Sequence, residues 1–353
     1  MSHESSIVSS ILTSTVSGVV SGLSPAANLQ HGFLRLPGKE SAKLAYTFCK
    51  SPSNDPVATL IVFVNGLMLP RSPWEAVMHH FYGECLDAAV PCPPMLSYDR
   101  YGQGDSEQDP KDATSEKEEG YGHDVMDAVD DLHGILLHLG TDKFGHIKLG
   151  TSKLILVCNS IGCAIARLFA QRYPSTVCGL LFLDSIIANS DLVSFIPDPD
   201  APNFKKGELP DGVTLEMLRE TRKKFMKIFH PSVKNAEGLD RRSLPSLLPS
   251  AHGPKLVGLK GNRPFLTVVG HDPEKFAEDG ETGSLEIPRA ITTNYHNPFW
   301  AKYNQDLVHI TDSAAAKGPI TAELCGHFIQ RDDPVQVARL LFRLVSSVRE
   351  HGW

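Results

Sequence analysis

The stretch LILVCNSIGCAIARLFAQRYP (154–174) carries the residue types a covalent catalyst needs at a spacing that would expose them. Apolar residues suited to a buried strand run into Asn159, Ser160, Ile161 and Gly162, and helix formers follow. A serine at such a hinge, with Cys158 two residues before it and Gly162 two after, fits a sharp strand-to-helix turn that lifts a nucleophilic hydroxyl above a sheet. Small residues are required on both sides because the helix passes close to the strand. The same turn puts Ser160 at a helix N-terminus, where the N–H of Ile161 and the helix dipole favour a developing oxyanion. A serine that only caps its helix would look alike within this stretch. Its companions decide.

A serine nucleophile needs a base. His327 follows Gly326 on a loop between an apolar run and the final helix, where an imidazole can take the Ser160 proton and later return it to a leaving group. Cys158 and Cys163 flank the hinge, but their places suit small buried packing residues rather than thiol chemistry. His79, His80 and the carboxylates of SEKEEG (115–120) show no metal-ligand spacing and read as solvated surface. No metal or organic cofactor is called for.

The elements that must hold these residues alternate in type. KLAYTFC (43–49), ATLIVFVN (58–65) and PMLSYD (94–99) read as strands. KLILVC (153–158), CGLLFLD (178–184), PFLTVVG (264–270) and GPITAELC (318–325) are continuous apolar runs of the kind buried on both faces. HDVMDAVDDLHGILLHLG (123–140) has helical apolar spacing with Gly140 as its stop, and Asp333–Pro334 opens a final amphipathic helix. Strands separated by helices predict a mostly parallel sheet covered on both sides. Residues 185–263 break the rhythm: they hold a Pro/Asp-rich loop, the helix TLEMLRETRKKFMKIFH and RRSLPSLLP, with no convincing strand. This predicts a helical insertion. Its Met217, Phe225, Met226 and Phe229, with Trp300 and Tyr303 on a helix opened by Asn297–Pro298, are either core or substrate-binding residues.

Composition bounds the rest. At 41% hydrophobic and 21% charged, the chain is globular in type, and a net charge of −7 without a basic run leaves no footprint for nucleic acid. No stretch has the roughly 20 apolar residues of a membrane span. The first 30 residues contain no Lys or Arg, unlike a secretory signal, and read as a loosely held extension or strand-like arm. Seven scattered cysteines suit reduced thiols, so a cytoplasmic location is expected. The oligomeric state is left open, a homodimer included.

Four motifs in order resemble the α/β-hydrolase superfamily, over about residues 40 to 350: VFVNGLML (62–69), DRYGQGDS (99–106), the serine hinge, and CGHFIQRDDP (325–334). The resemblance implies an α/β fold with a mostly parallel eight-stranded sheet, helices on both faces and a helical cap inserted after strand six. The implied division is an extension (1–30), core (31–184), cap (185–263) and core (264–353). Asn65–Gly66 stands where the family usually has His-Gly, which gives the N–H of Leu67 an oxyanion role beside that of Ile161. The triad acid follows strand six or strand seven. Asp184, 24 residues after Ser160, is spaced as in haloalkane dehalogenases and zearalenone-type lactonases and is favoured; Asp272, in TVVGHDPEKF, is the alternate, and His271 beside it is a ligand contact or plain loop. The activity implied is a serine hydrolase (carboxylesterase- or lactonase-like) cleaving an ester, lactone or thioester of a lipophilic small molecule through an acyl-enzyme. The fold also hosts C–C bond cleavage, acyl transfer, cyclisation and ligand reception, so the alternatives remain non-hydrolytic chemistry and a receptor role.

Overall fold

The computed structural model describes residues 27–351 except 52–58, 143–151, 206 and 208. Its centre is one sheet of eight strands: β1 (Leu29–Leu34), β2 (Leu44–Cys49), β3 (Thr59–Val64), β4 (Met95–Tyr98), β5 (Lys153–Ser160), β6 (Val177–Ser185), β7 (Phe265–His271) and β8 (Ala316–Ala322). They lie in the order β1-β2-β4-β3-β5-β6-β7-β8. β2 is antiparallel to both its neighbours, and every other adjacent pair is parallel.

Every residue of β3, β5, β6 and β7 is buried, as expected of parallel strands covered on both faces. The side-chain alternation of a strand sends successive residues to opposite cores. Leu60, Val62, Leu154, Leu156, Leu180 and Phe182 join one apolar cluster. Ile61, Phe63, Ile155, Val157, Leu181 and Leu183 join the other. Helices α1 (Pro73–Asp87) and α7 (Pro334–Glu350) cover the second face; α2 (Val125–Asp142) and α3 (Ile161–Arg172) cover the first. Each large apolar side chain so buried contributes about 1.5–3 kcal/mol. Asp333 caps α7 by accepting from Gln336 N–H, with Pro334 at its first position.

Between β6 and β7 the chain leaves the sheet and forms α4 (Leu215–Ile228), capped by the Thr214 hydroxyl, which accepts from Met217 N–H. Val193, Ile196, Leu218 and Phe225 of this insertion share a third apolar cluster with Ile287 and Ile291. Those two precede a π-turn (Thr292–His296) and come after α5 (Pro273–Thr282), while α6 (Asn297–Leu307) follows. Both the insertion and this β7–β8 segment stand at the C-terminal ends of the parallel strands.

Several elements depart from the sequence reading. The insertion is not free of strand: Leu239–Asp240 pairs with His123–Asp124 in a two-residue parallel ladder, too short to leave a periodic signal. β1 begins at Leu29, inside the segment read as an extension, and residues 1–26 lie outside the described ones. α2 runs through Gly140 to Asp142 rather than stopping there. β8, expected to be buried on both faces, is an edge strand that is mostly half-buried or exposed. His79 and His80 lie half-buried on α1, not on a solvated face, and His79 Nδ1 is buried with no hydrogen-bond partner.

Candidate active site

Ser160 ends β5 with φ 55° and ψ −125°, and α3 starts at the next residue. Left-handed φ at a non-glycine residue is strained, and the neighbouring backbone explains why it is held. A Cβ on Gly162 would lie 2.4 Å from the Val64 carbonyl oxygen and 2.7 Å from that of Asn65, so α3 can begin against β3 only through a glycine. A Cβ on Gly66 would meet Asn159 Oδ1 at 3.0 Å and Ser160 Cβ at 3.2 Å. The turn that leaves β3 thus rests directly on the serine. Leu67 N–H, in that turn, has no hydrogen-bond partner among the described residues, and Ile161 N–H, at the first position of α3, lies where intrahelical partners are lacking.

Asp184 is delivered by a break in register. Asn159 pairs with Leu183 and Ser160 with Ser185, so Asp184 is the extra residue between them, with φ 44°. Bulges of this kind re-aim a side chain. Asp184 is fully buried, and its Oδ2 lies 2.6 Å from His327 Nδ1 while its Oδ1 lies 2.8 Å from His271 Nδ1. Burial alone would raise its pKa, but the two imidazoles outweigh it and hold the carboxyl well below the usual range. A carboxylate only accepts, so His327 Nδ1 carries a proton and Nε2 faces away from Asp184.

Asn159 ties the three positions together. Its Nδ2 donates to the Leu183 carbonyl (3.0 Å), next to Asp184, and to the His327 carbonyl (2.9 Å), while its own backbone leads into Ser160. The sequence reading missed this residue, although it stands inside the hinge motif. Asp272, the alternate acid, is turned elsewhere: it caps α5, accepting from Glu274 N–H (2.9 Å) and Lys275 N–H (3.3 Å), and also from Leu324 N–H at 3.0 Å. It makes no contact with His327. His271, read as a ligand contact or loop, is bound to Asp184.

A second buried group braces the turn after β3. Arg100 Nε donates to Glu237 Oε1 at 2.6 Å, and its other nitrogens donate to the Asn65 carbonyl (2.7 Å) and Gly66 carbonyl (3.0 Å). Gln103 Nε2 donates to the Gly66 carbonyl (2.8 Å) and Glu237 Oε2 (3.0 Å), and Met68 N–H donates to the same Oε2 at 3.0 Å. Asn65, in place of a histidine, accepts from Trp74 Nε1 at 2.7 Å and donates to the Tyr98 carbonyl at 2.9 Å. Arg100 and Gln103 lie within DRYGQGDS; nothing in the pattern around Glu237, 137 residues from Arg100, could have found it.

Aromatic rings wall the site. Trp300 stands edge-on to His327 at 5.4 Å and to His271 at 5.3 Å, and donates Nε1–H to the Ser185 carbonyl at 2.9 Å. His296 touches Trp300, Phe276, Phe225 and Phe195, which links the site to the insertion. Burial, with help from the charge of His271, lowers the His296 pKa to about 3, so its ring is neutral. Tyr303 is buried in the core beside Arg167. Among the insertion's candidates, Phe225 is buried and Phe229 half-buried against it. Met226 is 49% exposed on α4. Met217 borders an open groove of about 280 Å³ with Thr221, Lys224 and Pro288, which contains neither Ser160 nor His327.

Cys158 and Cys163 are buried, and desolvation pushes both thiols well above their usual range. No group of His, Cys, Asp or Glu among the described residues is arranged to hold a metal ion, and no helix among them is long and apolar enough to cross a membrane.

This fold defines a class, and comparison agrees with it. The alpha/beta hydrolase family matches residues 61–340, and the chain belongs to that family. Similar solved structures include a haloalkane dehalogenase loop variant from Bradyrhizobium elkanii, with 15% identity, TM-score 0.53, and 92% of this chain and 98% of that one covered. A putative lipase from Acinetobacter baumannii shares 16% identity at TM-score 0.53, covering 92% and 93%. A putative hydrolase from Agrobacterium vitis shares 12% at TM-score 0.51, covering 90% and 98%. At these identities the likeness is one of fold. No curated protein matches the chain.

Proposed function

We propose that the protein is a serine hydrolase that cleaves an ester-type bond of a lipophilic small molecule through an acyl-enzyme. The observation that carries this reading is the Asn159 clamp, which gathers the backbones beside Ser160, Asp184 and His327 into one place. In the proposed reaction Ser160 Oγ attacks the carbonyl while His327 Nε2 takes its proton. Asp184 fixes the imidazole tautomer and stabilises the imidazolium that forms. The N–H groups of Leu67 and Ile161 receive the oxyanion, and His327 returns its proton to the leaving group before water enters.

The insertion, residues 185–263, acts in this proposal as a cap over the serine, with Phe225 and Phe229 on its inner side and Trp300 in the wall below. Such a wall favours an apolar or aromatic acyl or alcohol part. Neutral His296 offers that substrate one hydrogen-bonding group without a buried charge. The test is labelling by a fluorophosphonate probe. Wild-type protein is expected to be labelled and Ser160→Ala not, with turnover of an activated ester falling by about 10⁶ in the variant. Equal labelling of both proteins, or no labelling of either, would reject the reading.

A further inference from the structure

Asp184 is held by two histidines, and the reaction proposed above uses only one of them. His271, at the end of β7, is 7% exposed. Its Nδ1 lies 2.8 Å from Asp184 Oδ1, and its backbone N–H reaches the same oxygen at 3.3 Å. On its other side, Nε2 lies 3.3 Å from Asn297 Oδ1. The orientation of Asn297 is fixed because its Nδ2 donates to the Pro273 carbonyl at 2.8 Å, and a carbonyl can only accept. Asn297 therefore presents an acceptor to Nε2, and the Asp184 carboxylate presents an acceptor to Nδ1. An imidazole with acceptors at both nitrogens satisfies them only as the imidazolium. The ring is also fixed in place, stacked on Phe276 at 4.1 Å with Trp300 edge-on at 5.3 Å.

We propose that His271 is a charged positioning residue, which clamps the far oxygen of Asp184 and sets the pH range over which His327 can serve as a base. The proposal rests on the serine-hydrolase reading for its kinetic consequence, but not for the charge on the ring. When His327 takes the serine proton, Asp184 lies between two imidazolium rings rather than beside one. The like charge of His271 opposes protonation of His327, so the base stays available to lower pH than a lone Asp–His pair would allow.

The titratable groups around His271 are few. Asp184 faces it from β6 and Asp272 neighbours it at the cap of α5; His327 lies across Asp184, and neutral His296 approaches from the π-turn. Asn297, Phe276 and Trp300, the remaining contacts, do not titrate in this range. Burial works against the charge on His271, yet the adjacent carboxylate, its hydrogen bond and that of Asn297 raise the pKa overall. The shift runs in the same direction as the charge required by the two acceptors.

Two measurements test the proposal. In the first, kcat/KM is followed against pH for wild type and His271→Asn, whose amide can still donate to Asp184 from the Nδ1 position but carries no charge. The acid limb should move to higher pH by about one unit, a tenfold loss of active base at a pH below the limb. The plateau should fall far less than in Asp184→Asn. A merely structural role would lower the plateau and leave the limb in place, and a coincident limb overturns the proposal. In the second, ¹⁵N-edited NMR of the histidine side chains, with His271 assigned by its loss in His271→Asn, should show both nitrogens protonated at neutral pH. A neutral tautomer at His271 overturns the proposal whether or not the protein turns over esters. Failure of the probe to label wild-type protein would reject the hydrolase reading and leave the NMR result to decide the charge.

Discussion

Ser160 and Asp184 both hold positive φ, at 55° and 44°. Strain of this kind costs on the order of 1–3 kcal/mol per residue and persists only where surrounding contacts over-determine it. Here the contacts can be named: Gly162 against β3, Gly66 against Ser160, the register break at Asp184, and Asn159 tying the strand ends to the histidine loop. The two acidic candidates were open in the sequence because both end a strand and precede a turn. Their partners differ: one meets two imidazoles and the other caps a helix. Asp184→Asn should therefore lower kcat by on the order of 10⁴, as a wrong-tautomer substitution does. Asp272→Asn, which keeps a capping side chain, should stay within about tenfold of wild type because an Asn cap is nearly as good as Asp. The two variants measured in one esterase assay decide it, and the reverse ranking would return the acid to Asp272. Asn159 and His271 were readable as residues but not as partners, because their roles lie in contacts across 168 and 87 positions of chain.

At the scale of elements, what was legible was what is local. The apolar runs of β3, β5, β6 and β7 stand out because both faces of each strand are buried, and α7 stands out by its Asp-Pro opening and its apolar stripe. The edges were harder. β8 carries apolar residues like an inner strand, yet among the described residues it ends the sheet on one side, as β1, paired with β2, ends it on the other. The Leu239–Asp240 ladder exists only because His123–Asp124 comes to meet it. The elbow itself gives the sharpest prediction. Gly162→Ala puts a Cβ 2.4 Å from a backbone carbonyl, where no flexible side chain can yield. It should destabilise the protein by about 1–3 kcal/mol, the usual range for overpacking, and slow fluorophosphonate labelling as α3 withdraws from β3. Cys158→Ala removes a buried thiol without adding bulk and should keep its labelling rate. Thermal unfolding and probe kinetics on the two variants check both statements. A Gly162→Ala protein as stable and reactive as wild type would mean that the turn is not tightly set.

At the scale of the whole molecule, one of the contacts that join the insertion to the core is a buried ion pair. Glu237, from the insertion, is fully buried and meets Arg100, Gln103 and the Met68 N–H, and Arg100 and Gln103 in turn hold the Asn65 and Gly66 carbonyls. The insertion therefore reaches the turn that carries Leu67. Removing one partner of a buried pair strands the other charge, and Glu237→Ala should destabilise the fold by about 3–5 kcal/mol. Loss of stability alone would not show that the pair matters to catalysis, so a second variant is needed. Replacing both partners by apolar residues, Arg100→Met with Glu237→Met, removes the stranded charge and should recover much of that stability, because buried pairs often exchange for hydrophobic residues at little net cost. The Asn65 carbonyl and the Met68 N–H still lose their partners, and the Gly66 carbonyl keeps only Gln103, so the turn should shift. If Leu67 supplies an oxyanion donor, a displacement of about 1 Å there is enough to lower kcat by roughly 10². The double variant is thus expected to melt near the wild type and still turn over a short activated ester far more slowly, with KM little changed. Thermal unfolding and steady-state kinetics on the same preparations separate the outcomes. Recovery of both stability and kcat would reduce the Arg100–Glu237 pair to scaffolding and remove the insertion from the positioning of the oxyanion turn.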